Sequence, residues 1–210
     1  MKQVILTVSL LVSGFAGMAQ STGKYSNDFL NIGVGARAFG MANAGIASVN
    51  DVTAGYWNPA GLTGLKDNIQ LSVMHSPYLA GIANYDYGGI ATKIDDRRAM
   101  AFSLIRFSVD GIPNTLDLIR NGQIDYNRVT SFSASDYAFL VSYGQKAKIE
   151  GLSFGGNAKV IYRKAGEFTT AWGFGIDLGM QYKSKKEWQF GLMAKDITGT
   201  YNAWKYSFTD

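Results

Sequence analysis

From residue 68 onward, large apolar side chains take every second position in a series of short segments. These segments run over 68–75, 82–94, 99–107, 137–146, 151–164, 170–183 and 187–197. A period of two puts alternate side chains on opposite faces of a strand, so each segment is predicted as β-structure. In the first, Ile69, Leu71 and Val73 share a face; the second is less regular, with Tyr85 and Tyr87 in phase. Tyr137, Phe139, Val141 and Tyr143 line up in the fourth, and Leu152, Phe154, Ala158, Val160 and Tyr162 in the fifth. The seventh opposes Trp188, Phe190, Leu192 and Ala194 to Gln189, Gly191, Met193 and Lys195. The sixth is the clearest. Trp172, Phe174, Ile176, Leu178, Met180 and Tyr182 alternate with Gly173, Gly175, Asp177, Gly179 and Gln181.

The sixth segment separates two kinds of all-β protein. In a water-surrounded sandwich the solvent face would carry charge and Thr rather than a run of Gly. In a membrane barrel the bulky face meets lipid, aromatics sit at the interfaces, and the interior face is small or polar. Segments of nine or more residues also suit a bilayer, whereas strands of soluble domains more often hold about 5–6. Backbone groups in lipid must all be paired, which forces closure. The connections agree. Charged turns at 95–98, 147–150 and 184–186 alternate with longer links, of which 108–136 is the longest. If the first strand rises from the periplasm, the short turns face the periplasm and the long loop faces outward. Seven strands is an odd number for a bacterial barrel, and no terminal strand ending in an aromatic residue is present; the tail at 207–210 reads as part of an outward loop. The expected fold is therefore an antiparallel transmembrane β-barrel of about fourteen strands, of which this chain supplies the first half, 68–210.

Upstream lie two further segments. Residues 4–12 are almost unbroken apolar sequence after Lys2, and Gly17 and Ala19 place small residues where a signal peptidase reads; 1–19 is the expected signal peptide, with cleavage before Gln20. That run is shorter than the ~20 residues a membrane-spanning helix needs. Residues 21–67 are rich in Gly, Ala and Asn with neither period, and 20–67 is the expected N-terminal hatch.

Composition narrows the chemistry. Hydrophobic residues make up 47% of the 210, yet mean hydropathy is only −0.03, as expected when apolar and polar positions alternate. Gly at 25, aromatics at 13% and Pro at 3 suit a β-rich chain with close backbone contacts. Cys is 0 and His75 is the single histidine, so disulfides, thiolate metal sites and a zinc centre have no ligands. The net charge of +4 comes from scattered residues, which does not suit a nucleic-acid partner. Asp95 and Asp96 are followed by Arg97 and Arg98 and read as a solvated turn; Asp110, Asp117 and Asp125 lack calcium-loop spacing. Gly88-Gly89 and Gly155-Gly156 lie inside strands, not before helices, so they are not phosphate loops. His75 ends the first strand as an interfacial residue. No nucleophile–base set is legible, and neither an enzyme activity nor a cofactor is expected.

FLNIGVGARAFGMANAG over 29–45, leading to DVTAGYWNPAGL over 51–62, resembles the N-terminal signature of the PorV/PorQ family, a branch of the FadL-like outer-membrane barrels. GIPNTLDL over 111–118, SFSASDY over 131–137 and DITGTYNAW over 196–204 extend the resemblance, on the PorV side, across nearly the whole exported chain. Gly-Ala-Arg-Ala followed by Trp-Asn-Pro-Ala-Gly is its most specific element. The resemblance implies a barrel of about fourteen strands with the N-terminal segment folded into its lumen. It also implies a place in the type IX secretion system of Bacteroidota, collecting cargo C-terminal signal domains from the translocon and delivering them to an attachment complex. The partners implied are outer-membrane lipid, the translocon and attachment proteins, and the cargo signal domains.

Particular residues fit these roles. Gly33, Gly35, Gly40 and Gly45 permit positive φ and close contact within a lumen. Trp57, Asn58, Pro59, Ala60 and Gly61 complete the hatch motif, Pro59 driving Asn58 to extended backbone while the Asn side chain closes a turn. Arg37 is the one charge between Asp28 and Asp51 and needs an acidic partner, for which Asp177 is the candidate. Ile112, Pro113, Asn114, Leu116, Leu118, Ile119, Tyr126 and Phe132 form the candidate cargo-binding loop. The competing function is FadL-like uptake of hydrophobic small molecules; a lipid-uptake lumen wants a continuous apolar pocket, where the sixth strand offers Gly, Asp and Gln. A soluble periplasmic β domain is the third reading.

Overall fold

The computed structural model describes residues 27–207 except 121, 187 and 200. The signal peptide, residues 20–26 of the hatch and the last three residues lie outside it. The fold is one curled antiparallel sheet of seven strand positions, the beginning of a barrel wall. In chain order the strands are β1 (Ile69–Tyr78), β2 (Ala83–Lys93), β3 (Arg98–Asn114), β4 (Ile119–Arg120), β5 (Gln123–Ile124), β6 (Thr130–Lys146), β7 (Leu152–Ala165), β8 (Thr169–Lys183), β9 (Gln189–Ala194) and β10 (Tyr201–Tyr206). The order across the sheet is β1-β2-β3-β6-β7-β8, with β9 and β10 both on the far edge of β8; β4 and β5 form a separate two-stranded ribbon.

Every strand expected from the alternation is present, and the faces divide by size as membrane contact requires. On β8, Trp172, Phe174, Ile176 and Leu178 point outward and are 44–57% exposed, while Ala171, Gly173, Gly175, Asp177 and Gly179 are buried on the concave side. Ile69, Leu71 and Val73 likewise project outward from β1. β2 reverses the rule, since Tyr85 and Tyr87 turn inward and are almost fully buried. One outward row crosses six strands in register. His75 faces Asp86, which faces Arg106, followed by Tyr137, Tyr162 and Trp172. His75 Nδ1 lies 2.6 Å from Asp86, whose other oxygen accepts from Arg106 at 3.1 Å. The Tyr162 and Trp172 rings are 4.7 Å apart.

β1 runs on to Tyr78, past its expected end at His75, and two connections also differ from the sequence reading. The link 108–136 is mostly strand: beyond an irregularity between Val109 and Ile112, β3 and β6 go on pairing through Ile112↔Phe132, Pro113↔Ser131 and Asn114↔Thr130. Ile112, Pro113, Asn114 and Phe132 thus belong to strands, and only 115–129 forms a tip, holding the β4–β5 ribbon and a 3-10 turn at Tyr126–Arg128. Gly111, Pro113 and the serines hid the pairing because they do not alternate in polarity. The seventh strand also continues beyond its expected end. Ala194 pairs with Leu178 and Tyr201 with Phe174, so the chain between them passes a gap of only 175–177, and 195–199 bulges out of the ladder before β10 resumes it. The ladder therefore runs on as strand to Tyr206, ahead of the expected outward tail at 207–210, of which 208–210 lie outside the described residues.

Residues 28–65 fold against the concave face through short turns, with one-turn helices at Ala36–Gly40 and Ala54–Trp57 and 3-10 turns at Asp28–Asn31 and Pro59–Gly64. One buried cluster joins this segment to the wall: Phe29, Leu30, Val34, Val52, Tyr56, Trp57 and Leu62 pack with Tyr85, Tyr87, Ile105, Leu140 and Ile161. Each fully buried large side chain contributes ~1.5–3 kcal/mol by leaving water. Among the described residues no helix is long and apolar enough to cross a membrane.

Candidate functional site

The N-terminal segment ties itself together through its aromatics. The Tyr56 hydroxyl donates to the Leu30 carbonyl and accepts from Gly33 N at 3.1 Å, while Trp57 Nε1 donates to the Val34 carbonyl at 2.9 Å. Burial pushes the Tyr56 hydroxyl up to about 12, so it stays a neutral donor. Asp51 closes the turn ahead of the helix holding both rings, its carboxylate accepting from Thr53 N at 2.8 Å. Gly33 and Gly35 hold φ of +105° and +89°, as expected. Gly40 and Gly45 do not have positive φ, and a Cβ on either would meet open space, which corrects the role assigned to them. Ala42 and Asn43 take the left-handed turn there instead.

The Asn58–Pro59–Ala60–Gly61 element is the anchor on the wall. Gly144, Gly155 and Gly179 stand opposite one another on β6, β7 and β8, forming a glycine row across the concave face. A Cβ at Gly144 would lie 2.5 Å from the Pro59 carbonyl oxygen, and one at Gly155 or Gly179 would overlap the Pro59–Ala60 backbone or the Asn58 side chain. The row lets two backbones touch where any side chain would hold them apart. Asn58 is fully buried and extended at φ −165°. Its Nδ2 donates to the carbonyls of Ile46 and Met180, both at 3.0 Å, and its Oδ1 accepts from Ala60 N at 3.2 Å. Gln181 adds bonds to the Ile46 and Val49 carbonyls at 2.9 and 3.1 Å. Thr63 meets Ser153 at 2.9 Å. These polar groups are satisfied by the fold itself.

Above the glycine row lies a buried charge cluster. Asp177 pairs with Lys159 at 2.7 Å, not with Arg37, and Lys159 also reaches Asp196 at 2.8 Å. Arg37 is exposed and makes no ion pair among the described residues, correcting the expected lumen pair. The physical reason is proximity. Lys159 stands on the strand beside Asp177 and Asp196 is brought in by the 195–199 bulge, whose Asp196 N donates to Asp177 at 2.8 Å. Gly175, opposite Lys159, leaves room for the lysine stem. Asn157 donates to Asp177 at 3.3 Å, and Asn27 donates to Asp196 at 3.3 Å. Lys195, from the same bulge, places Nζ 5.1 Å from the Tyr56 ring centre and 5.9 Å from that of Trp57. The cluster and these cation–π contacts link the last strand to the N-terminal segment. Lys159, Lys195 and Asp196 were missed in the sequence. A buried-face Lys opposite a Gly was the available signal for Lys159; the inward bulge left none.

Arg37 instead lines a cavity of about 360 Å³ between the N-terminal segment and β1, with Val34, Met41, Asp51, Trp57 and Gln70. Of the expected loop, Leu116, Ile119 and Tyr126 are 67–76% exposed on the tip, Leu118 is half-buried, and Phe132 packs edge-on against Phe168 at 5.2 Å.

Comparison with protein families matches residues 18–204 to the family described as "Type IX secretion system protein PorV". No curated protein and no solved structure matches.

Proposed function

The chain belongs to the PorV family of type IX secretion system proteins, outer-membrane components of that system and not an enzyme family, and from this premise we propose a cargo-binding role for its outward tip. The tip receives the C-terminal signal domains of exported proteins, and the barrel carries them from translocon to attachment complex. One observation carries the reading. The tip over 115–129 stands on the two longest strands, each of 17 residues, and presents Leu116, Ile119, Ile124 and Tyr126 to solvent. Exposed apolar groups gathered at the end of a stiff hairpin are a surface suited to a protein partner. Beneath it, the N-terminal segment acts as a hatch closing the lumen, so cargo is held outside the wall and does not pass through it. The filled, hydrogen-bonded contact along the glycine row weighs against uptake of greasy solutes by that side of the lumen.

Replacing 115–129 with a short Gly-Ser turn is expected to abolish co-purification of a cargo signal domain while leaving membrane insertion intact. The cut spares Asn114 and Thr130, which still pair. Loss of insertion, or undiminished cargo capture, would count against a recognition tip. The Leu116→Ser, Tyr126→Ser double variant should weaken capture without touching the strands.

A further inference from the structure

The opposite end of the sheet carries a second feature. The turns β6–β7 and β8–β9 lie side by side, joined by Lys183 N donating to the Gly151 carbonyl at 2.8 Å. They gather Lys148, Lys183, Lys185 and Lys186. Lys185 is matched by Glu150 at 2.8 Å, whereas Lys148, Lys183 and Lys186 make no ion pair among the described residues. Between the turns runs an open groove of about 660 Å³ bordered by Glu150, Gly151, Tyr182, Ser184 and the lysines 183, 185 and 186, with Lys148 on the adjoining turn outside that lining. Gly151 sits at φ +80°, and a Cβ there would overlap the Lys183 carbonyl, so this crossing of the two turns needs glycine.

The groove lies where lipid-facing aromatics end. Phe154, Tyr182 and Phe190 occupy one stretch of the outward face, and Trp188 beside the turn is 68% exposed. Amphipathic rings mark the level at which acyl chains give way to headgroups, and lysine stems lie along apolar surface while their ammonium groups reach polar neighbours. Unmatched cations above an aromatic belt suit a phosphodiester whose acyl chains run down the wall.

We propose that this groove binds the phosphate of an anionic phospholipid in the leaflet facing the short turns, the periplasmic one by the loop asymmetry of such barrels. This site rests on the membrane location alone and is independent of the cargo reading. The intact protein, reconstituted in phosphatidylethanolamine nanodiscs containing a minority of phosphatidylglycerol, tests it by native mass spectrometry of the retained lipid. The wild type is expected to retain phosphatidylglycerol preferentially. Lys148→Gln, Lys183→Gln and Lys186→Gln should each lower that preference about fivefold, while Arg120→Gln with Arg128→Gln at the other end should not. Equal retention by wild type and the triple variant would overturn the site. So would displacement by inorganic phosphate alone, which would assign the groove to a free anion. If the triple variant does not fold, Lys186→Gln alone and the salt dependence of wild-type retention decide; retention insensitive to both refutes it. Cargo capture by the lysine variants should stay at the wild-type level, keeping the two readings separable.

Discussion

Lys159 holds its ammonium between Asp177 and Asp196 with its side chain almost wholly out of water. A buried charge is tolerated because it is paired, and removing one partner leaves the other exposed to a low dielectric without compensation. Here removal would leave two carboxylates facing one another. Lys159→Met is therefore expected to destabilise the folded barrel by ~3–5 kcal/mol, read as a lowered urea midpoint of heat-modifiable migration on gels. Arg37→Gln, on an exposed residue outside the cluster, should stay within ~0.5 kcal/mol of the wild type. The glycine row invites a parallel test. Gly155→Ala drives a methyl into the Pro59–Ala60 backbone and should unseat the N-terminal segment, raising its sensitivity to protease; Gly40→Ala, facing open space, should not. Equal protection of both variants would mean that Pro59 and Ala60 do not anchor the segment. An acidic residue on an otherwise glycine face signalled that Asp177 needed a cation. It could not say which, because the partner is set by strand register and by a bulge 19 residues away in sequence.

Among the elements, β8 sets the orientation of the wall. Its outward side chains are large and its inward positions small, so a charge has opposite consequences on its two faces. Ile176→Arg places a cation against acyl chains at a cost of ~2–4 kcal/mol near the midplane, and impaired assembly in outer-membrane fractions is expected. Thr170→Arg, near the outward end beside Lys164 and Lys205 in the register, should assemble normally. If both assemble equally well, the outward face does not meet lipid. The alternation that made β8 legible is absent from 108–136, where β3 and β6 extend beyond the apolar part of the wall and both faces become polar. Strand pairing there is maintained by the backbone, which leaves no period in the side chains. The same holds for β9 and β10. Their shared ladder along β8 is interrupted by residues that turn inward, so a single strand position reads in the sequence as one strand followed by a loop.

On the scale of the molecule, the wall has two edges that pair with no strand among the described residues, one at β1 and one along β9 and β10. Unpaired backbone groups cannot face hydrocarbon, so residence in a bilayer requires that both edges be paired. The N-terminal segment already joins distant parts of the wall: Asn58 bonds to β8, Ser142 of β6 donates to the Gly55 carbonyl at 3.3 Å, and Tyr56 with Trp57 lies under Lys195. Among the described residues the tip at 115–129 shares no such contact, which is why its deletion should separate cargo capture from assembly.

Residue order alone carried the class of fold, the outward direction of the large side chains on β1 and β8, and the family signature. All three depend on local periodicity or on contiguous residues; on β2, where the alternation is irregular, Tyr85 and Tyr87 turn inward instead. It also fixed Asn58 as a turn-former ahead of Pro59, since that geometry is local. Packing between strands was needed to establish that Lys159 and not Arg37 neutralises Asp177, that three glycines on separate strands form one seat, and that the 195–199 bulge brings Lys195 and Asp196 into the lumen. These are relations between strands, fixed by register and by how closely two backbones can approach, and neither quantity is encoded in the order of residues along a single strand.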